Sequence, residues 1–166
     1  MREPDSDLAY GYLDSPVGSL LVAGDAKGLH RIIFPSEHKG KDPPTTWRRD
    51  ESVLGEVFRQ LRAYFAGELT RFDLTLRFTG TAFQNTVWTA LRDIPFGETT
   101  SYGALAARIG RPTAYRAVGA ANGANPLPIV VPCHRVIGSD KSLTGFGGGL
   151  DTKRFLLAHE QSVART

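Results

Sequence analysis

The chain has few of the features that mark secreted or membrane proteins. Its 166 residues include a single cysteine, Cys133, so no disulfide can form within the chain. No apolar run approaches the ~20 residues that a membrane-spanning helix needs. Residues 1–7 are too polar for a secretory signal. We therefore expect a soluble, cytoplasmic protein that does not bind membranes.

Motifs for metals and cofactors are also missing. The histidines are scattered along the chain, and one cysteine leaves no ligand pair at zinc spacing. The glycine-rich segment 145–149 lacks the Lys-Ser/Thr that completes a phosphate-binding P-loop. We predict no metal and no cofactor. The formal net charge of +3 is compatible with nucleic-acid binding but is not diagnostic of it.

The first third of the chain has the pattern of an antiparallel sheet. Turn residues separate short apolar or alternating runs, which are residues 8–13, 19–23 and 29–34. The proline-bearing segment 35–50 is predicted to be an exposed loop. A helical apolar period follows from Val53 to Phe65, with Gly67 as its stop, and residues 72–78 are a further candidate strand.

Helical periodicity dominates the second half. Thr81 can cap one helix, and Thr99, Thr100 and Ser101 offer caps for another that Gly110 ends. Residues 111–123 are predicted to form the next helix, with proline in its first turn. A final helix is predicted from residue 151 to about residue 160. Two short helices joined by a Gly-containing turn are a helix-turn-helix candidate, and two ordinary packed helices are the alternative.

The second helix of this pair carries mostly Ala and Gly, with Arg116 as its one long basic side chain. A helix that reads bases in the major groove needs several Arg, Asn or Gln side chains. A slim helix suits close approach to a DNA backbone or a narrow minor groove instead. Tight helix packing through small residues is the other interpretation.

The lone cysteine lies in the motif Pro132-Cys133-His134-Arg135, between apolar runs. Proton-accepting or cationic neighbours lower the pKa of a thiol, and the thiolate is the nucleophile. A cysteine with histidine nearby is therefore a candidate nucleophile. A buried structural cysteine is the alternative.

Together these motifs resemble one family, the O6-alkylguanine-DNA alkyltransferases, also called methylated-DNA–protein-cysteine methyltransferases. The match is good from about residue 81 to 160 and looser upstream, where residues 14–20 fit best. The segments that carry it are, in chain order, residues 95–102, 116–119, 125–126, 132–135, 145–149 and 156–160.

The resemblance implies an α/β fold with two lobes. Residues 1–78 would form a small ribonuclease H-like lobe with an antiparallel sheet. Residues 79–166 would form a mostly helical lobe that carries the helix-turn-helix and the site. The implied activity is DNA repair by transfer of an alkyl group from O6-alkylguanine, and less well from O4-alkylthymine, to the protein's own cysteine. The thioether is not released, so each molecule acts once.

The resemblance also implies catalytic roles. Cys133 would attack the alkyl carbon, His134 would act as base through a bridging water, and Glu160 would orient the imidazole. Tyr102 would give a proton to the departing guanine, although packing against its own helix pair is an alternative. Asn125 would brace the backbone of the site, although asparagine before proline is also simply a turn.

A base must leave the duplex to reach a buried thiol. By resemblance, Arg116 would fill the vacated stack, and a plain phosphate contact is the alternative. The residues expected at the DNA are Thr113, Tyr115, Arg116, Ala117 and Gly119. Those expected to line the base pocket are Val131, Pro132, Phe146, Gly147 and Gly148. The implied partner is alkylated duplex DNA, bound through its minor groove largely independently of sequence by a monomer, with cooperative binding left open.

The chain departs from the family's pattern in the glycine-rich segment. Many members have tyrosine where this chain has Phe146, and some have serine where it has Gly147, so hydrogen-bond donors are missing. No cysteines match the zinc ligands of some relatives. Two other functions stay open at this point: a Cys-His-Glu hydrolase or acyltransferase that turns over, and a damage-binding protein that makes no covalent change.

Overall fold

The structure is a computed structural model that describes residues 7–140, 142–143 and 145–166. Its contacts divide the chain into two compact units, residues 1–79 and 80–166. The first unit combines a sheet with helices and the second is mainly helical, as the predicted α/β fold class requires. Within the described part of the chain, no helix is long and apolar enough to cross a membrane.

The sheet of the first unit begins with the predicted antiparallel meander. Its strands are β1 (Ala9–Ser15), β2 (Gly18–Asp25) and β3 (Gly28–Ile33). A short strand β4 (Arg48–Arg49) pairs with β1 in parallel, which gives the order β3-β2-β1-β4. Because β2 is central, its residues are buried on both faces, from Leu20 to Gly24.

The prediction of an exposed loop over residues 35–50 is wrong in part. The segment contains the short helix α1 (Pro35–His38) and β4. Its apolar Trp47 is buried in a cluster that includes Leu8 and Leu21. This burial draws the segment back onto the sheet, where the Arg48 N–H donates to the Leu8 carbonyl over 3.0 Å.

The candidate strand 72–78 is also not formed, apart from one isolated bridge between Leu29 and Leu76. The Gln60 side chain explains the difference. Its amide donates to the Asp73 carbonyl and accepts from the Asp73 N–H, both over 2.9 Å. The backbone groups of Asp73 are therefore bound by a side chain, and in this segment only the Thr75 carbonyl and the Arg77 N–H bond to the described residues of the sheet, both to Leu29.

A 3₁₀ turn (Glu51–Leu54) leads into α2 (Gly55–Phe65), which matches the predicted helix. These elements pack closely on β1 at Gly11. A Cβ at that position would lie 2.6 Å from the Glu51 Cγ and 3.1 Å from the Phe58 ring. A side chain there would force Glu51 and Phe58 to shift, so the close approach favours glycine.

The second unit contains α3 (Ala82–Leu91), α4 (Tyr102–Arg108), α5 (Tyr115–Gly123) and α6 (Leu150–Ala164). The predicted cap at Thr81 is confirmed, since Thr81 forms a capping box with Gln84. Of the three candidate caps at residues 99–101, Ser101 is the one that caps α4, and its side chain accepts from the Ala104 N–H. Both caps satisfy backbone donors at the helix start. The indole of Trp88 donates to the Ala121 carbonyl over 2.8 Å and joins α3 to α5.

Two predicted helix boundaries need correction. α5 begins at Tyr115 and not at residue 111, because residues 111–114 form a turn that the Ala114 N–H closes on the Arg111 carbonyl. α6 runs one turn beyond the predicted end, to Ala164. Short strands β5 (Thr100–Ser101) and β6 (Val136–Ile137) pair in parallel, which brings the start of α4 beside the segment that follows Cys133.

Candidate active site

The chain approaches Cys133 through a tightly folded segment. The Val131 N–H donates to the Leu127 carbonyl over 2.8 Å, and the Cys133 N–H donates to the Val131 carbonyl over 2.7 Å. Ile129 has a φ of 76°, a left-handed conformation that is rare for a β-branched residue. The Asn125 amide donates to the Val131 carbonyl over 2.8 Å, and its oxygen accepts from the Leu127 N–H. Asn125 therefore ties together the two ends of this segment.

Cys133 itself opens a buried 3₁₀ turn, Cys133–Arg135, which we call the cysteine turn. The chain is therefore not extended at Cys133. In a 3₁₀ helix consecutive side chains diverge by about 120°, so the Cys133 and His134 side chains still leave the backbone in different directions. The thiol is 4% exposed and the imidazole is fully buried.

A buried glutamate links the remaining residues of the cysteine turn. The His134 Nε2 lies 2.7 Å from the Glu160 Oε2. The Arg135 guanidinium donates to both carboxylate oxygens of Glu160, over 2.8 and 2.9 Å. A carboxylate only accepts, so the hydrogen-bond network assigns the proton of a neutral His134 ring to Nε2. Its Nδ1 is then a buried acceptor, with no hydrogen-bond partner among the residues described.

The loop at residues 94–97 packs against the ion pair of Arg135 and Glu160. The Arg135 guanidinium donates to the Ile94 carbonyl over 2.6 Å and lies over the Phe96 ring, 5.6 Å from its centroid. Gly97 has a φ of 83°, and a Cβ there would lie 2.9 Å from the Ala164 Cβ. The Pro-Phe-Gly motif therefore holds the arginine of the cysteine turn, and its glycine allows close contact with α6.

The protonation states of His134 and Glu160 follow from their burial and from the charges beside them. Burial lowers the pKa of His134 and outweighs the hydrogen bond that His134 donates to Glu160, which would raise that pKa. Burial alone would raise the pKa of Glu160, but the hydrogen bonds from His134 and Arg135 outweigh it and hold that pKa well below its usual range. Around neutral pH the site thus holds an ionised Glu160 and a neutral His134.

Tyr102, the first residue of α4, is half-buried, and its ring faces α5. A Cβ built on Gly119 would lie 3.6 Å from the Tyr102 Cδ1. Because Gly119 has no side chain, α5 leaves room for the Tyr102 ring. Because β5 pairs with β6, Tyr102 also starts its helix beside the segment that leaves the cysteine turn.

The residues predicted to contact DNA lie on or just before α5. Tyr115 is 48% exposed, and the Arg116 guanidinium lies 5.8 Å from its ring centroid. Thr113 and Ala117 are exposed, whereas Val118 on the opposite face is fully buried. The helix therefore buries its apolar face and presents its basic side chain to solvent.

Of the predicted pocket residues, Val131 and Pro132 are buried next to Cys133. Phe146 and Gly148 are half-buried and Gly147 is exposed, in a turn that the Gly149 N–H closes on the Phe146 carbonyl over 2.9 Å. This turn leads directly into α6. Its placement against the Cys133 sulfur stays a prediction.

The sequence reasoning missed three buried polar residues of the site. The sequence motif indicates Arg135 only as a cation near the thiol and does not predict its bond to Glu160. Asn122 is 4% exposed and donates to the Cys133 carbonyl over 3.4 Å. Lys153 is fully buried and donates to the Val136 carbonyl over 2.7 Å. The spacing of Lys153, Leu156 and Glu160 on one helical face is the signal that could have found the lysine.

Both parts of the chain match models of one protein family. The family model described as "6-O-methylguanine DNA methyltransferase, DNA binding domain" matches residues 82–162. The model described as its ribonuclease-like domain matches residues 8–78.

Individual relatives match over nearly the whole chain. A methylated-DNA–protein-cysteine methyltransferase of Methanosarcina acetivorans is 51% identical over 93% of this chain and 99% of its own length. The crystal structure of Mycobacterium tuberculosis OGT in complex with DNA is 49% identical, with a TM-score of 0.86 over 93% of this chain and 94% of that one. The O6-methylguanine-DNA methyltransferase of Pyrococcus kodakaraensis is 27% identical, with a TM-score of 0.64 over 92% of this chain and 98% of that one. The fold and the resemblance predicted from sequence are confirmed, and the chain belongs to the methylated-DNA–protein-cysteine methyltransferase family.

Proposed function

We propose that this protein repairs DNA by transferring the alkyl group of O6-alkylguanine, and less efficiently that of O4-alkylthymine, to Cys133. The observation that carries the proposal is the cysteine turn, which joins the chain's one thiol to a buried imidazole–carboxylate pair. A relay of this type activates a cysteine nucleophile. The identity to family members over nearly the full chain supports the same chemistry.

In the proposed reaction the thiol proton passes through a water to the Nδ1 of His134, whose Nε2 is already bound to Glu160. The Cys133 thiolate then attacks the alkyl carbon, a sulfur–carbon bond forms and the carbon–O6 bond breaks. The electron pair moves onto the guanine ring, which takes a proton and leaves as neutral guanine. The ionised Glu160 favours the imidazolium that forms during the reaction. The thioether is stable, so the protein acts once.

The other predicted residues receive supporting roles in this proposal. Tyr102 supplies the proton to the guanine ring, and Asn125 keeps the segment before Cys133 in shape through its bonds to Val131 and Leu127. Val131 and Pro132, together with Phe146, Gly147 and Gly148, line the pocket for the flipped base. Glycine on the pocket wall allows the backbone to approach a flat base.

DNA is the partner that the family's DNA-binding domain implies. We assign the contact to Tyr115, Arg116, Ala117 and Gly119 of α5 and to Thr113 in the turn before it. The small side chains of the helix fit a minor groove, and Arg116 is long enough to occupy the stack that the flipped base leaves. The protein is expected to act as a monomer in the cytoplasm, without a metal or cofactor.

The stoichiometry of the reaction tests the proposal. Protein is mixed with a tenfold excess of a duplex that contains one O6-methylguanine, and the repaired base is counted over time. The expected result is a plateau at one guanine per protein molecule and no repair by the Cys133→Ser variant. Continued turnover would contradict the irreversible transfer, and duplex binding without repair would identify a damage-binding protein instead.

A further inference from the structure

Asn122 is a buried asparagine that the proposed reaction does not yet use. It lies in the last turn of α5 and is 4% exposed. Its Nδ2 donates to the Cys133 carbonyl over 3.4 Å, and because a carbonyl only accepts, this contact assigns the NH₂ end of the amide to Cys133. The Asn122 Oδ1 is then a buried acceptor with no hydrogen-bond partner among the described residues. Buried polar atoms are almost always bonded to protein or to ordered water, so this oxygen needs a partner.

A second acceptor of the same kind belongs to the cysteine turn. The His134 Nδ1 is buried and, within the described part of the chain, has no hydrogen-bond partner, because the ring proton is on the Nε2 that faces Glu160. The carbonyl that Asn122 binds is part of the peptide unit between Cys133 and His134. The Asn122 amide therefore contacts the peptide unit that joins the nucleophile to its base.

One water molecule would satisfy both acceptors and the thiol. A buried water typically makes about three hydrogen bonds. Its two O–H groups match two acceptors, the Asn122 Oδ1 and the His134 Nδ1, and its oxygen can accept from the Cys133 thiol. A water bound only by the thiol and the imidazole could rotate about the line between them. A third partner fixes its orientation, which a proton transfer through the water requires.

The backbone of α5 holds the Asn122 side chain in place from both sides. The Ala121 carbonyl accepts from the Trp88 indole over 2.8 Å, and the Asn122 carbonyl accepts from the Asn125 N–H over 3.3 Å. The asparagine therefore extends from a fixed part of the helix to the Cys133 carbonyl. Its acceptor oxygen is positioned before any substrate binds, as a supporting residue of a reactive site should be.

We propose, on the basis of the function proposed above, that Asn122 is a positioning residue for the alkyl transfer: its Oδ1 binds one hydrogen of the water that carries the thiol proton from Cys133 to His134. In the transfer the S–H bond breaks as a new O–H bond forms on the water, and the water gives its other hydrogen to the His134 Nδ1. The water then donates to the thiolate and accepts from the imidazolium. The hydrogen that Asn122 binds takes no part, so Asn122 anchors the water before and after the transfer.

The test uses the full-length protein, in which Cys133 is the one cysteine. Thiolate absorbance in the ultraviolet is followed against pH in DNA-free protein, with the Cys133→Ser variant as the blank. Asn122→Leu removes the acceptor at similar size, and Asn122→Ser keeps an acceptor oxygen. Asn85→Leu is the matched control. Asn85 also donates over 3.4 Å to a backbone carbonyl, and its Oδ1 is also buried without a partner among the described residues, but its contact is with Gly80 and not with the cysteine turn.

Asn122→Leu should raise the midpoint of thiolate formation by about one pH unit or more, because the thiolate loses the hydrogen bond of an anchored water. The charges of Arg135, Glu160 and Lys153 around the turn are the same in every variant, so a shift cannot come from a changed charge.

The single-turnover transfer rate of Asn122→Leu at neutral pH should fall about tenfold or more. It should return toward the wild-type rate at alkaline pH, where hydroxide removes the thiol proton directly. Asn122→Ser should restore part of the midpoint and of the rate, and Asn85→Leu should change neither. If Asn122→Leu does not fold, Asn122→Ala, which removes the same acceptor, takes its place.

An unchanged thiolate midpoint in the variant without the acceptor would overturn the proposal and leave Asn122 a structural residue of α5. A transfer rate that stays low at every pH, or an equal shift of the midpoint in Asn85→Leu, would overturn it as well. The titration needs no DNA. Failure of the wild-type protein to accept an alkyl group would instead count against the proposed function, and the titration would still decide the role of Asn122.

Discussion

Replacing Glu160 with glutamine removes one negative charge from the centre of the site with almost no change of shape. The carboxylate is fully buried and accepts hydrogen bonds from His134 and from two nitrogens of Arg135. Glutamine offers one acceptor oxygen, and its NH₂ group faces donors. At least one donor loses its partner, and the buried Arg135 cation loses its counter-charge.

The expected magnitude follows from this count. A hydrogen bond to a charged group contributes about 1.5–3 kcal/mol, and breaking a buried ion pair by removing one partner destabilises by about 3–5 kcal/mol. We therefore expect Glu160→Gln to lower the free energy of unfolding of the second unit by about 3–5 kcal/mol at pH 7. The single-turnover transfer rate should fall ~100-fold or more, because the base loses its orienting partner.

The loss of unfolding free energy in Glu160→Gln should depend on pH. Interactions in the folded state lower the pKa of Glu160 below its usual 4.5, so the stabilisation is complete above that pH and is lost as the pH falls further. Urea unfolding from pH 7 to pH 3 should show a difference in the free energy of unfolding between wild type and Glu160→Gln. This gap should narrow below pH 4.5. Glu56→Gln is the control, because Glu56 also pairs with an arginine, Arg59, but at an exposed site. A gap that is constant with pH, or no larger than that of the control, would refute the reasoning.

Three other changes are expected to have distinct effects. Arg116→Ala should slow transfer from duplex DNA about tenfold or more and leave the rate with a free O6-alkylguanine base unchanged; equal losses on both substrates would contradict a role in base flipping. Phe146→Tyr supplies the hydroxyl that many family members have and should raise the single-turnover rate, and an unchanged rate would contradict a role for that hydroxyl. Methylation of Cys133 adds a methyl group inside a buried segment, and overpacking there should lower stability by about 1–3 kcal/mol, seen as a lower melting temperature; an unchanged or higher value would contradict this.

Local signals in the sequence were sufficient for most of the elements. Thr81 caps its helix as predicted, and Ser101 is one of the three caps that the sequence offered for α4, because capping depends on residues within one turn of the cap. The strand boundaries of the meander also follow from short turn motifs. In contrast, residues 72–78 have the composition of a strand, yet the Gln60 side chain from a distant helix occupies the backbone of Asp73. Such long-range competition cannot be inferred from a local pattern.

In the candidate active site, too, local motifs were predictable from the sequence and long-range contacts were not. The motif around Cys133 and the family resemblance predicted His134 and Glu160, which the structure brings within 2.7 Å. The role of Arg135 depends on partners 25 and 41 residues away, and no local spacing encodes that pairing. Lys153 could have been found from its helical phase, but lysine on an apolar face is normally taken to reach solvent, so its burial required the structure.

The central claim is that Cys133 itself keeps the alkyl group, and the mass of the intact protein tests this most directly. The protein is incubated with an oligonucleotide duplex that contains O6-methylguanine, denatured, weighed and then digested to map the modification. The account predicts that one hydrogen is replaced by one methyl group, that the added mass maps to Cys133, and that the Cys133→Ser variant gains nothing. An unmodified protein after repair of the duplex, or a methyl group on any other residue, would contradict it.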